Sequence, residues 1–379
     1  MSRSLFGTSK KQVPVETFCI CTINSYVATV AVVRKFNDEG TLNLPLVLFS
    51  VSEKIQGETL GSVVQALHQI LEQARSHGGN PTKIFCVVGE PWTLSIPRSV
   101  HLEKGNEFKV TQSVIDDALL RDMRAAESDM RREFPNFEDL MIFDIAEPIF
   151  SVNGYRVDRH VVGGMIPSLD VARSLSVIPK IVHDQLKLAI ASVFHRDDIT
   201  FVARSHVFAR TVSEEKILNL SIGGVSTDWM YIDRGVISSS SSSQGGLYEI
   251  EHGIAHEFSI SKKMIDSTML FATDIGLVEH ERDIYYKRTL RACESWLHDV
   301  RASFETLKKQ VDNMPNVIVV SSDAPWIAAL APVIARELGS PVAVASDDLQ
   351  PYAIVFAHDA QVKTSALAQA IEYCLASAN

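Results

Sequence analysis

The chain has 379 residues, 46% of them hydrophobic and 22% charged. That is the composition of a globular protein with room for two or three domains, not of a disordered chain. A net charge of −10 argues against a nucleic-acid binder, which presents a basic face, and no apolar run approaches the ~18 residues that a membrane span needs.

In chain order, residues 1–14 predict a flexible basic tail. Leu5 and Phe6 stand beside Arg3, Lys10 and Lys11, enough for weak docking to a membrane or partner only. Residues 15–51 predict a β meander. Phe18, Ile20, Val27, Val30, Val32 and Val33 are strand formers, with turns at Asn24-Ser25 and at 37–40. Residues 58–77 predict a helix from the 3–4 spacing of Leu60, Val63, Val64, Leu67, Ile70, Leu71 and Ala74, closed by Gly78-Gly79. A buried strand at 84–88 follows, then Glu90-Pro91-Trp92, where Trp92 reads as a core cover or junction residue. Residues 15–98 thus predict a first α/β lobe.

Residues 99–200 predict a compact α+β insert. A charged helix near 112–132 precedes strands at 140–145 and 148–152, a turn at Asn153-Gly154, a strand at 169–178 and an amphipathic helix at 181–194. Residues 201–379 predict a second lobe. Strand residues 217–222 lead into Gly223-Gly224, a second strand runs to Asp233-Arg234-Gly235, and six serines at 238–243 predict a mobile loop into Gly245-Gly246. One long helix is expected over 283–311, then strand, helix and strand at 317–321, 326–338 and 342–345. A last helix from 365 is expected to pack on this same lobe.

The cysteines Cys19, Cys21, Cys86, Cys293 and Cys374 lack metal-site spacing and read as small core residues in a reducing compartment. His252 and His256 lie four apart without a third ligand, so no metal site is assigned. The strongest local signal is Ser221-Ile222-Gly223-Gly224-Val225-Ser226-Thr227-Asp228. It lies between two strands, not between strand and helix, which rejects a dinucleotide fingerprint. It fits either a plain glycine-rich turn or a hairpin whose N–H groups form an anion nest. Thr22-Ile23-Asn24-Ser25-Tyr26 is its counterpart in the first lobe.

Two α/β lobes that each offer a hairpin to a shared cleft resemble the actin-like ATPase superfamily, in its FtsA- and PilM-like branch. Residues 5–11 before the first hairpin are similar to the opening of those proteins. The region around 152–155 resembles their inserted SHS2-type subdomain, residues 222–236 their second phosphate motif, and 324–342 their adenosine-site strand, helix and strand. The resemblance implies an α/β, ribonuclease H-like two-lobed fold that binds ATP with Mg2+. The nucleotide would meet Thr22, Asn24, Ser25, Tyr26, Gly223, Gly224, Ser226, Thr227, Asp228, Gly245, Gly246, Ser321 and Ser322. The family carries an aspartate at the positions of Thr22 and Ser221 and a glycine at that of Asn24, and these carboxylates hold metal and orient water. Their loss implies a degenerate ATPase or pseudo-enzyme, with no catalytic or metal residue assigned. Asp323 stands where the adenosine motif could reach a ribose and reads more simply as a turn residue.

Three readings stay open. One is a cytoplasmic scaffold at the inner face of the cell membrane, binding cell-division or pilus-assembly proteins through residues 99–200 and capable of self-association. The second is a working ATP-hydrolysing enzyme, and the third a structural polymer former that has lost nucleotide control. The final helix lacks Lys or Arg beyond Lys363 and so departs from the membrane-targeting helix that ends FtsA.

Overall fold

The computed structural model describes residues 15–36, 45–57, 59–133, 139–157, 161–212, 214–272, 277–344, 355–356 and 365–377. The expected tail at 1–14 and turn at 37–40 lie outside the described residues.

The elements run β1 (Val15–Ile23), β2 (Val27–Phe36), β3 (Leu46–Lys54), α1 (Leu60–Gly78), β4 (Lys83–Val88) and β5 (Leu94–Lys109). Then come α2 (Gln112–Glu133), β6 (Leu140–Ile145), β7 (Ile149–Val152), β8 (Tyr155–Val157), β9 (Met165–Pro179), α3 (Lys180–Phe194), β10 (Ile199–Ala203) and α4 (Arg204–Thr211). The remainder is β11 (Lys216–Ile222), β12 (Ser226–Asp233), β13 (Val236–Gln244), α5 (Leu247–Phe258), α6 (Ile265–Ala272), α7 (Glu279–Ala292), α8 (Glu294–Lys308) and β14 (Ile318–Ser322). It ends with α9 (Ala331–Leu338), β15 (Val342–Val344), β16 (Val355–Phe356) and α10 (Ser365–Ser377).

One plan is used twice. In the first sheet β3, β2 and β1 are antiparallel, and β4 and β10 then join β1 in parallel. In the second sheet β13, β12 and β11 are antiparallel, and β14 and β15 join β11 in parallel. Parallel strands need a crossover, and α1 and α3 supply it in the first half. Strand β1 is buried on both faces. Cys19, Cys21 and Ile23 meet α1 and α3 through Leu67, Ile70, Leu186 and Ile190. Phe18 and Ile20 meet the opposite layer, formed by Leu367, Ile371 and Cys374 of α10.

That layer corrects one expectation. Helix α10 covers the first sheet, not the second, because its stripe of Leu367, Ala370, Ile371 and Cys374 caps the face that α1 and α3 leave bare. Strand β16 likewise pairs with β3. The predicted insert also divides. Strands β5 to β9 form a third sheet with α2 against it, whereas α3 and β10 within 99–200 belong to the first-sheet core.

Two further expectations give way. The serine run is not a loop; it is β13, registered against β12 with Ser242 opposite Asp228 and Ser240 opposite Met230. The third sheet's β5 abuts β13, and Ser240 Oγ donates to the Ser95 carbonyl at 3.2 Å. Small hydroxyl side chains permit that approach. The expected long helix at 283–311 is two helices, broken at Cys293. Helix α7 crosses α5 at Gly253, where a Cβ would lie 2.0 Å from the Ala292 carbonyl oxygen. All five cysteines are buried and free.

Candidate functional site

The β1–β2 turn is locked by Asn24, whose Oδ1 accepts from the backbone N–H groups of Tyr26 and Val27, both at 2.8 Å. An asparagine that binds the backbone two residues on is a common way to hold a tight turn. In the β11–β12 turn, Gly223 N donates to the Ser226 carbonyl at 3.0 Å. The two turns meet face to face: Gly224 N donates to Ser25 Oγ at 3.1 Å. A Cβ on Gly224 would fall 2.6 Å from that oxygen, so only glycine fits this approach.

The C-terminal ends of the parallel strands close in on the same place, the usual ligand side of an open α/β sheet. Beyond β4, Glu90 accepts from Ser221 Oγ at 3.0 Å, and its carbonyl accepts from Ser25 N at 3.2 Å. Beyond β10, Arg204 Nη1 pairs with Asp323 Oδ2 at 2.5 Å, and Asp323 follows β14. Asn24 Nδ2 donates to the same Asp323 oxygen at 2.5 Å. The Arg204 and Asp323 side chains are 13% and 4% exposed, so this largely enclosed pair depends on its full set of bonds.

A second cross-link lies beside the first. The Tyr26 hydroxyl donates to Glu251 Oε1 on α5 at 2.7 Å, and burial with the Glu251 carboxylate raises this phenol well above its ordinary pKa. Tyr248 of α5 donates to the carbonyls of Ser25 and Ile55 at 2.8 and 3.0 Å.

The structure brings together Asn24, Ser25, Gly223 and Gly224, with Ser221 close by. Ser322 Oγ donates to the Ile222 carbonyl at 3.1 Å, and Ser321 lies in register with Ser221, so both serines adjoin the second turn. Gly245 and Gly246 connect β13 to α5. The first N–H groups of that helix, from Leu247 and Tyr248, donate to the Gly223 and Gly224 carbonyls at 2.8 and 3.0 Å. Thr22 is a buried β1 residue registered with Val87. Thr227 points into the second half, donating to the Gly245 carbonyl and accepting from Trp296 Nε1, both at 2.9 Å. Tyr26 turns toward α5. Ser226 Oγ is a buried oxygen without a partner among the described residues.

Glu90 and Arg204 are site residues that sequence reasoning missed, and Asp323 is one it set aside as a turn residue. Glu90 and Arg204 each lie just past the end of a parallel strand, but nothing in the local sequence marks either out. Asp228 is half-buried, and burial with the nearby Glu90 charge pushes its carboxyl up to about 8.

This arrangement does not fit ATP with Mg2+ as the site was expected to. The N–H groups of Gly223 and Gly224 in the second turn, and of Gly245, Leu247 and Tyr248 at the start of α5, are already satisfied by the chain itself. The positions where the resemblance places metal-holding aspartates carry the hydroxyls of Thr22 and Ser221.

No protein-family model and no curated protein matches the chain. Among solved structures it is similar to one described as a PilM–PilN type IV pilus biogenesis complex, at 11% identity over 96% of this chain and 99% of that chain, with a TM-score of 0.55. It is also similar to the ethanolamine utilization protein EutJ from Carboxydothermus hydrogenoformans, at 11% identity over 87% and 84% of the two chains, with a TM-score of 0.44. With its doubled sheet plan and facing hairpins, the chain has the actin-like ATPase fold, in an arrangement similar to PilM.

Proposed function

We propose that this protein is an actin-like scaffold of FtsA and PilM type, with weak or lost ATP hydrolysis, that acts in pilus or envelope assembly or in cell division by binding other proteins. The observation that carries the reading is the Ser25–Gly224 hydrogen bond, reinforced by Asn24, Asp323 and Arg204. Groups that would cradle a triphosphate are spent on holding the halves together. Phosphoryl transfer relies on metal clamping and positioned donors, and the N–H groups of Gly224, Leu247 and Tyr248 are engaged within the chain.

The third sheet with α2 is the part read as the SHS2-type insert and partner-binding unit. A groove of about 580 Å³ runs between α2 and β6, lined by Met123, Met130, Met141, Ile142 and Ile145 with Glu127, Arg131 and Lys180 at its polar positions. Methionines adapt to varied apolar partners, which suits an extended apolar segment with charged flanks. The similar PilM structure was solved as a complex with PilN, which agrees with a protein-binding role. Among the described residues no helix is long and apolar enough to cross a membrane. The placement proposed is the cytoplasm, peripheral to the membrane.

Titration calorimetry with ATP and ADP, with and without Mg2+, together with a phosphate-release assay, tests this reading. The expected result is no saturable heat and release at the protein-free rate. Steady turnover with saturable ATP binding, at the rate of a working ATPase, would overturn it.

A further inference from the structure

Five of the fourteen large hydrophobic residues that are exposed among the described residues fall between positions 264 and 284. They are Met264, Leu270, Phe271, Val278 and Ile284, each between 43% and 61% exposed. Solitary exposed apolar residues are ordinary, but a cluster of them marks an interaction surface. Helices α6 and α7 present it together, because their aromatic rings are joined. Phe271 of α6 meets the Tyr285 ring of α7 edge-on, with ring centres 5.9 Å apart, and Tyr285 stacks on Phe258 of α5 at 5.6 Å. None of the five lines the groove between α2 and β6.

Charges of opposite sign flank its two sides. Lys262 and Lys263 precede Met264 at the entry to α6, and Glu279 and Glu281 form the first turn of α7 behind Val278. All four are exposed. Asp266 and Arg282 oppose these charges singly and leave the sign of each side unchanged. The ion pairs of this corner are Lys287 with Asp283 and Glu257 with Arg288 and Arg291, so Lys262, Lys263 and Glu279 stand outside them. We propose that this corner is the contact of a symmetric dimer, on which a second copy of the chain lies across a two-fold axis. In such a contact residue i meets j and j meets i. Met264 and Phe271 of one copy then cover Val278 and Ile284 of the other, and each lysine pair meets a glutamate pair. A patch that carries both members of each match is complementary to itself, which singles out a second copy as its occupant. The apolar centre supplies affinity, and the flanking charges set the register.

The dimer does not rest on the scaffold reading, because it needs neither nucleotide nor another protein. Light scattering on the full chain over a range of concentrations is the first test. The mass should rise from that of one chain to that of two and stop there. Phe271→Asp and Val278→Asp should each weaken the dimer at least about tenfold, as loss of a buried apolar anchor does. Two charge-reversed chains give the decisive result. One carries Lys262→Glu with Lys263→Glu, the other Glu279→Lys with Glu281→Lys. Each sets like charges against each other and should be monomeric alone. An equal mixture should form a mixed dimer, in which an acidic copy meets a basic one. Circular dichroism verifies that every variant is folded. A constant monomer mass for the unaltered chain, growth beyond two copies, an undiminished dimer in either apolar variant, or a mixture that stays monomeric would each overturn the proposal. None of these results bears on whether the protein hydrolyses ATP.

Discussion

Tyr26 and Glu251 lie 225 positions apart in sequence, yet the phenol of one donates to the carboxylate of the other at 2.7 Å. Lys54 donates to the same Oε1 at 2.5 Å, so one buried carboxylate on α5 is gripped by two residues of the first half. Replacing Glu251 by alanine strands the buried Tyr26 hydroxyl and removes the Lys54 pair. A loss of about 2–3 kcal/mol is expected, since unsatisfied buried groups cost about 1–3 kcal/mol. Glu251→Gln keeps an acceptor and should lose about half as much. Urea unfolding followed by circular dichroism measures both, and equal losses would show that the acceptor geometry is unimportant.

Gly224 tests the closed cleft. A Cβ there meets Ser25 Oγ at 2.6 Å, the Ser25 carbonyl carbon at 3.0 Å and the Tyr248 ring at 3.0 Å. Two of those neighbours are not flexible ends, so Gly224→Ala must push the hairpins apart, at a cost of about 1–3 kcal/mol typical of overpacking. Ser25→Gly should relieve the closest clash, and the double variant should recover part of the loss. Additive destabilisation in the double variant would mean the two residues do not press on each other.

Much of the fold was legible locally, and the reasons are physical. The first meander and the β11–β12 hairpin announced themselves through runs of strand formers, the hairpin also through its paired glycines, and α1 through a regular apolar stripe. What stayed hidden depends on distant partners. The serines of β13 form a strand because β12 and β5 flank them. Helix α10 looks like any amphipathic helix, and nothing in its residues says which sheet it covers. Asn24 and Asp323 are 299 positions apart, so Asp323, read in isolation, was only a turn residue. The hairpin residues could be picked out because turns have local chemistry; Glu90 and Arg204 could not, because their meaning comes from the other half.

His206 offers a check on how the third sheet is attached. Its Nδ1 faces Asp144 Oδ2 at 2.8 Å, and its Nε2 faces Ser174 and Ser176 Oγ at 3.0 and 3.1 Å. The ring thus joins α4 of the first half to β6 and β9. His206→Ala leaves two buried serine hydroxyls short of a partner and opens a hole, and about 2–3 kcal/mol should be lost. Hydrogen exchange should rise first in β6 and the C-terminal part of β9. Faster exchange spread evenly over the molecule would instead indicate general weakening.

Asp228 gives the clearest dependence on pH. Its carboxyl is raised from 3.8 to about 8 by burial and by the Glu90 charge. Between those values the folded chain holds a proton that the unfolded chain has released. The folded form therefore binds more protons, and stability falls as pH rises through this window, by up to about 1.4 kcal/mol per unit from this group alone. Asp228→Asn cannot ionise, and its side-chain oxygen can still accept from Ser242. Wild type and variant should have similar melting temperatures near pH 4, where both carry a neutral side chain. They should diverge as the pH is raised to 8, the variant ending higher by several degrees. A gap of the opposite sign would mean that Asp228 is ionised and favourably paired in the folded protein.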